Sequence, residues 1–305
     1  MDRLRALRYF AMLAQTLNFS ETAGHFGVPS SSVSRRIKDL EADLGSTLFV
    51  RTTRSVSLTD LGKLYLSEVT TALQSIDLAD EMVKAQSAAP TGTVRITAMP
   101  GYAELYVFPA LQRLRRLYPE IVFDLNITDQ VLSLSSNDAD IAIRAAAVLP
   151  DQVVARRLGD HSFVLVASCD YISQHGAPQR VGDLGDHPVF MYRTPRGVLN
   201  WQTLKDETWK TIDLVPQFVS NHGPSLMESV VEGRGFALLP SWAVSAELAE
   251  GRLQAIDLED GPLSTGGDTR MAVYLLYHPP KFRLQKIKVT AEFLITQLKR
   301  ETLNF

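Results

Sequence analysis

The stretch LNFSETAGHFGVPSSSVSRRIKDLEADLGSTLFVRTTRSVSLTDLG, Leu17–Gly62, reads as two short helices, a tight turn and a β-wing. Ser20 can cap a first helix that carries Thr22, Ala23 and Phe26. Gly27, Val28 and Pro29 interrupt it, and Ser30 can cap a second helix beginning at Ser31. Val33, Ile37, Leu40 and Leu44 then recur at helical steps, forming one stripe to be buried. At about 100° per residue the opposite face carries Ser31, Ser32, Arg35 and Lys38, with Arg36 on its flank. Small hydroxyls and cations on such a face suit the major groove. Short serines admit close approach of the backbone, Arg35 can fork onto guanine, and N-terminal amides can meet phosphates.

Upstream, Leu4, Leu7, Phe10, Ala11, Ala14 and Leu17 form an apolar helical face able to cover both helices. Downstream, Thr47 to Leu58 reads as a hairpin with Arg51-Thr52-Thr53-Arg54 near its tip. A basic tip beside a recognition helix would reach the backbone or the minor groove; a solvated turn with incidental arginines is the alternative. Thr59 is a candidate N-cap for a long helix from about Asp60 to Gln86. Its Tyr65, Val69, Ala72, Ile76, Ala79 and Val83 form a coiled-coil seam, widened by Leu66 and Leu73. A helix of about 25 residues is a rod of roughly 40 Å. Its stripe needs a cover, either a second copy of itself or its own domain. Two copies would present two heads to two half-sites related by two-fold symmetry. The small-residue run SAAPTG, Ser87–Gly92, then reads as a hinge.

At 305 residues the chain allows two or three domains, and 45% apolar content without low-complexity runs reads as soluble and globular. No apolar run approaches the ~18 residues of a membrane span. Met1 to Leu13 is amphipathic, with Arg3, Arg5 and Arg8, and does not read as a signal peptide, so a cytoplasmic location is expected. Cys169 is the single cysteine, which excludes an intramolecular disulfide framework and a cysteine-based metal cage; it is expected in the core. A net charge of −3 argues against a protein that coats nucleic acid. Residues 1–60 hold eight Lys/Arg against six Asp/Glu, and the remainder 23 against 28. A mildly basic head on an acidic body fits one DNA-contacting end.

From Thr93 strands alternate with helices. TVRITA, IVFDLNI, ADIAIR, FVLVAS, GFALLP and MAVYLLYH read as strands, Leu105–Tyr118 as a helix and Lys281–Lys299 as a closing helix. The expectation is an α/β body with mostly parallel sheets, whose ligands bind beyond strand carboxyl ends. Two subdomains are expected around a cleft, the first at 93–161 plus 268–305 and the second at 162–267. Gly233-Arg234-Gly235 opens a strand and lacks the rest of a dinucleotide fingerprint. There is no phosphate-binding Gly-Lys-Ser/Thr loop, His-Glu-x-x-His pair or Gly-x-Ser-x-Gly elbow, and the six histidines are scattered. No catalytic residue, metal or cofactor is expected.

Leu17–Gly62 resembles the winged helix-turn-helix of LysR-type transcriptional regulators, at Phe19, Ala23, Val33-Ser34-Arg35, Ile37, Leu40-Glu41, Leu44-Gly45, Leu48-Phe49, Arg51, Leu58-Thr59 and Gly62. Ser30-Ser31 stands where the family often has Gln-Pro, and Thr22-Ala23 where it has Ala-Ala. The body resembles the family's effector domain, itself similar to type 2 periplasmic binding proteins. The landmarks are Gly92, Pro109, Tyr118-Pro119, Asp140 to Arg144, Gly176-Ala177-Pro178 and Gly233 to Pro240.

The resemblance implies a multidomain protein. An all-α winged helix-turn-helix head (1–59) leads into a linker and dimerisation helix (60–87) and a hinge (88–92). An α/β, two-subdomain, periplasmic-binding-protein-like effector domain (93–305) follows. It implies a regulator that contacts double-stranded DNA through Ser20, Thr22, Ser30, Ser31, Ser32, Ser34, Arg35, Arg36, Lys38, Arg51 and Arg54. Partners would be a second copy, as a dimer or dimer of dimers, and RNA polymerase if it activates. Candidate effector contacts are Met99-Pro100-Gly101, Thr128-Asp129, Arg144, Thr194 with Arg196, and His222-Gly223. Amides plus arginines there would suit an organic anion, whereas Asp129 and Met99 would equally suit a cationic or less polar effector. A solute-binding protein with an unrelated helical cap, or an enzyme using the cleft, are the competing classes.

Overall fold

The computed structural model describes residues 2–52, 55–84, 89–130, 134, 138–266 and 271–302. The chain divides into two compact units, one formed by Met1–Ser87 and the other by the chain from Ala88 on, apart from a few residues.

The first unit packs α1 (Arg3–Thr16), α2 (Phe19–Phe26) and α3 (Ser30–Leu44) around one core, followed by the hairpin β1 (Phe49–Arg51) and β2 (Val56–Leu58). Its centre is Phe10, Leu13, Val33, Ile37 and Leu40, all fully buried, so the predicted α3 stripe faces inward. Phe10 meets Phe49 and Tyr65 at ring-centroid distances of 5.5 Å and 5.3 Å, tying the wing and the next helix to α1. Two caps differ from expectation. Asn18, not Ser20, caps α2, its side-chain oxygen accepting from the amides of Ser20 and Glu21 at 2.9 Å and 3.2 Å. Ser30 is already helical; Pro29 holds the cap position with no side-chain bond, and its carbonyl accepts from the Ser32 amide at 2.9 Å. The reason is local: Asn and Ser cap equally well, and the fixed φ of proline sets the α3 entry one residue early. Gly27 makes the turn between α2 and α3 at φ +61°, a left-handed conformation costly for other residues.

The long helix α4 (Asp60–Lys84) begins at Thr59, whose hydroxyl accepts from the Gly62 amide at 2.9 Å and points back to the Thr47 and Leu48 carbonyls. Gly62 is obligatory for space: a Cβ there would run into the Leu48 carbonyl oxygen. The expected seam divides in two. Tyr65, Val69 and Leu73 are taken up by the head's own core, with Val69 and Leu73 buried. Ala72, Ile76, Ala79 and Val83 lie exposed beyond it, Ile76 at 38% and Val83 at 73%. An ion pair of 2.8 Å joins Arg8 of α1 to Asp77 of α4.

The second unit carries two main sheets. β3 (Gly92–Ala98), β4 (Ile121–Ile127), β5 (Ile141–Ala146), β6 (Val154–Asp160) and a late strand, Ala272–Tyr277, form the first, ordered β4-β3-β5-late strand-β6. β7 (Phe163–Ser168), β8 (Val189–Thr194) with the short β9 (Gly197–Val198) beside it, and strands Phe218–Ser220, Phe236–Pro240 and Leu253–Ala255 form the second. A small third sheet joins Gln202–Lys205, Thr208–Thr211 and Leu263–Ser264. Both main sheets are mixed, which corrects the expectation of mostly parallel strands. β3 runs parallel to β4 and β5, but Ala272–Tyr277 is antiparallel to both β5 and β6. β8 likewise has two parallel neighbours and β7 two antiparallel ones.

β6 was not expected as a strand. It is an edge strand with exposed Arg156 and Arg157, charges that discourage pairing with another chain and hide the alternation. The helix expected over Leu105–Tyr118 begins earlier, as a π-helical turn over Ala103–Val107 that runs into α5 (Phe108–Leu117). The closing helix is preceded by a 3₁₀ turn, Pro279–Arg283, which carries Lys281 inward, and the α-helix proper is Gln285–Thr302. Cys169 is not a core residue. β7 ends at Ser168, and Cys169 opens α6 (Cys169–His175) on the exposed side. Successive β7 residues pack on opposite faces: Leu165 and Ala167 under Trp201 and Phe236, Val166 under the helices Gly223–Val231 and Ser241–Ala249.

Candidate nucleic-acid interface and ligand cleft

With Val33, Ile37 and Leu40 buried, α3 turns Ser30, Ser31, Arg35 and Lys38 to solvent, while Ser32, Ser34 and Arg36 are partly covered. Its first turn carries no side-chain cap; the Ser32 amide donates to the Pro29 carbonyl, and the Ser30 and Ser31 amides stand at the open end of the helix. Ser20 is exposed on the first turn of α2. Two of the predicted contact residues stand elsewhere. Thr22 is fully buried, its hydroxyl bonded to the Asn18 carbonyl (2.8 Å) and to the Thr16 hydroxyl (2.7 Å), so it builds the head instead of facing a groove. Arg51 pairs with Glu41 at 2.7 Å and lies over the Phe19 ring, 5.2 Å from its centroid. Its charge is therefore spent inside the head. Arg54 lies outside the described residues.

Sequence reasoning noted Glu41 only as a landmark. In the structure it fastens the wing to α3: one carboxylate oxygen accepts from the Leu48 and Phe49 amides at 2.9 Å and 3.1 Å, the other from Arg51. A ten-residue separation between opposite charges was the signal available for this pair.

In the body, Met99-Pro100-Gly101 follows β3, Thr128-Asp129 follows β4, and His222-Gly223 leads into the helix Gly223–Val231. These are the carboxyl ends of parallel strands, where such sheets take ligands. The structure joins several of them through residues that were not predicted. Tyr192, on β8, donates its hydroxyl to Asp129 at 2.6 Å. Glu104, in the π-helical turn, lies 3.5 Å from His222, whose other ring nitrogen meets the Ser225 hydroxyl at 2.8 Å. Trp242 faces Gly101, where an added Cβ would lie 3.5 Å from the indole ring, and its carbonyl accepts from the Tyr106 hydroxyl at 2.6 Å. The Trp242 indole N–H donates to His161 Nδ1 at 3.0 Å. Burial lowers the His161 pKa to about 4. Burial also lowers that of Arg144, opposed by the Asp129 charge, and raises the Tyr192 phenol strongly, with help from Asp129 and Glu104.

Arg144 is not an open anion receptor. Its guanidinium donates to Thr97 and to the carbonyls of Ile143 and Gln130, which pins the loop after β4. Thr194 and Arg196 close the turn between β8 and β9, the Thr194 hydroxyl bonding the Gly197 carbonyl and the Arg196 amide, each at 3.2 Å. Among the described residues no His/Cys/Asp/Glu group could hold a metal ion, and no helix is long and apolar enough to cross a membrane.

Two family models match: the bacterial regulatory helix-turn-helix protein, lysR family, over residues 4–63, and the LysR substrate binding domain over residues 87–299. The chain is 30% identical over 296 residues to the HTH-type transcriptional regulator DmlR of Escherichia coli K12, covering 95% of this chain and 93% of that protein. It is 29% identical to CrgA of Neisseria meningitidis serogroup C, covering 96% of each chain. The solved structure of CrgA from Neisseria meningitidis, a LysR-type transcriptional regulator, superposes with a TM-score of 0.61 at 27% identity, covering 96% of this chain and 98% of that one. Head and body thus point the same way, and the chain belongs to the LysR family of transcriptional regulators, with a helix-turn-helix DNA-binding domain and an effector-binding domain.

Proposed function

We propose that this regulator acts in the cytoplasm on double-stranded DNA, with α3 in the major groove. Arg35 reads a base edge, while Ser30, Ser31, Ser32, Ser34, Arg36 and Lys38 fix the helix on phosphates and sugar, joined by Ser20 from α2. The observation that carries this reading is the sidedness of α3, with Val33, Ile37 and Leu40 fully buried opposite exposed Arg35 and Lys38. Selecting bound genomic fragments would give the operator. On that operator, Arg35→Ala is expected to reduce discrimination against scrambled duplex by ~1–3 kcal/mol. Equal binding of both duplexes by the unaltered protein across a salt series would refute sequence-specific reading.

The pairing element in this proposal is the part of α4 beyond the head, with Ala72, Ile76, Ala79 and Val83 on one exposed stripe. Tyr65 and Val69 belong to the head instead. Ile76→Glu should shift sedimentation from dimer, or dimer of dimers, toward monomer, because a buried unpaired carboxylate is costly. An unchanged mass would place the contact elsewhere. The proposed functional boundaries are 1–59 for DNA binding, 60–87 for pairing, 88–92 for the hinge and 93–305 for the effector. A small molecule that prefers one cleft geometry would shift the conformational population, and RNA polymerase is the further partner if the output is activation.

A further inference from the structure

This inference deepens the reading of the head as the part that contacts DNA and rests on it. The wing is short, three residues on each strand, and forms a two-stranded sheet of its own. Along β1 the side chains alternate: Phe49 is buried against Phe10, Val50 is exposed, and Arg51 returns to the inner side. Phe49 therefore fixes the base of the wing, helped by the Thr59 hydroxyl, which donates to the Thr47 carbonyl at 2.9 Å. Arg51 fixes the far end of the same strand. Its guanidinium meets Glu41 of α3 at 2.7 Å and lies 5.2 Å from the ring centroid of Phe19, the first residue of α2. The second Glu41 oxygen holds the Leu48 and Phe49 amides. Wing, α2 and α3 thus meet at one pair of opposite charges, whose side chains are only 27% and 15% exposed.

Glu41 follows Ser34 by about two helical turns, so both lie along one edge of α3. The wing is fastened to that edge, beside the face on which Arg35 and Lys38 stand exposed. A cation that neutralises a phosphate displaces a counterion, and each such contact steepens the fall of binding with salt. A guanidinium already neutralised by a carboxylate adds nothing to that count. We propose that Glu41 is a positioning residue for DNA recognition: it sets the wing against α3 and withholds Arg51 from the phosphates. The electrostatic contact is then carried by the exposed cations of α3 and not by the inner side of the wing. Without its carboxylate partner, Arg51 would swing on its flexible stem to a neighbouring phosphate and bind duplex of any sequence.

The test uses the full chain on the operator recovered from bound genomic fragments, with log K followed against log salt concentration. Glu41→Gln keeps an oxygen for the Leu48 and Phe49 amides but gives up the ion pair. Its slope should steepen by about 0.9, the contribution of one added phosphate contact. Combining Glu41→Gln with Arg51→Gln should return the slope to that of the natural protein. A merely structural Glu41 would weaken binding at every salt concentration without steepening the slope, and that result would overturn the proposal. So would a double variant whose slope is shallower than the natural one by about 0.9, because Arg51 would then already touch a phosphate. Arg51→Gln alone leaves both amide bonds in place and decides the matter if Glu41→Gln does not fold. An unchanged slope supports the withheld cation, and a loss of about 0.9 refutes it. If the natural protein binds operator and scrambled duplex alike, the DNA reading itself fails; if it prefers the operator while the slopes depart from these values, only the role of Glu41 fails.

Discussion

Asp140→Ala is expected to cost about 3–5 kcal/mol of folding free energy, the largest loss from any single substitution considered. Asp140 and Lys281 are both buried, at 7% and 8% exposure, and their side chains meet at 3.0 Å. The ammonium also donates to the Ala139 carbonyl at 2.9 Å, and the second carboxylate oxygen of Asp140 accepts from the Arg95 amide at 2.9 Å. One side chain thus holds the start of β5, a residue of β3 and the 3₁₀ turn before the last helix. Removing it leaves a buried cation and an unsatisfied amide together, and each is costly. Asp140→Asn keeps the amide's acceptor and should lose less. Denaturant unfolding checks the order; an alanine variant as stable as the asparagine one would show that Lys281 does not depend on this carboxylate.

Acidification should weaken the body through His161. Trp242 can only donate, so His161 Nδ1 must be the acceptor and must be unprotonated in the folded state. That agrees with a pKa lowered by burial from 6.5 to about 4. Below 6.5 the unfolded chain takes up a proton that the folded chain refuses. The contribution is therefore whole above pH 6.5, falls as pH drops, and is lost once pH passes about 4; its full size is ~3 kcal/mol. Other groups titrate in this window, so the quantity to follow is the stability difference between the natural protein and His161→Gln. That difference should shrink by about this amount between pH 7 and pH 4, and a pH-independent difference would contradict the assignment.

The helix α3 was legible because its apolar spacing is local and its period unmistakable. What failed was what depends on partners that residue spacing does not reveal. Thr22 looked available because a lone hydroxyl on a short helix gives no sign that the carbonyl four residues back already satisfies it. Arg51 looked like a free wing cation because Glu41 lies on another element. The helical seam was visible along α4, yet the spacing could not show that α1 would take its first half. Six strands were legible as short apolar runs, but such runs carry no direction, so the reversed course of Ala272–Tyr277 was hidden. In the body, the chosen loops lie at strand ends, while Glu104, Tyr192 and Trp242 make their contacts with residues remote in sequence.

Gly62 has a consequence for how such a chain can change over generations. Because the Leu48 carbonyl sits against it and Thr59 ties both segments together, the first turn of α4 cannot rotate independently of the head. An insertion of one residue after Gly62 would swing every later side chain around by about 100°. Ile76 and Val83 would then point to a different quarter of the compass while Arg35 stayed where it was. The exposed face of α3 and the outward stripe of α4 are thus locked in phase, and only insertions that complete whole turns would preserve the setting.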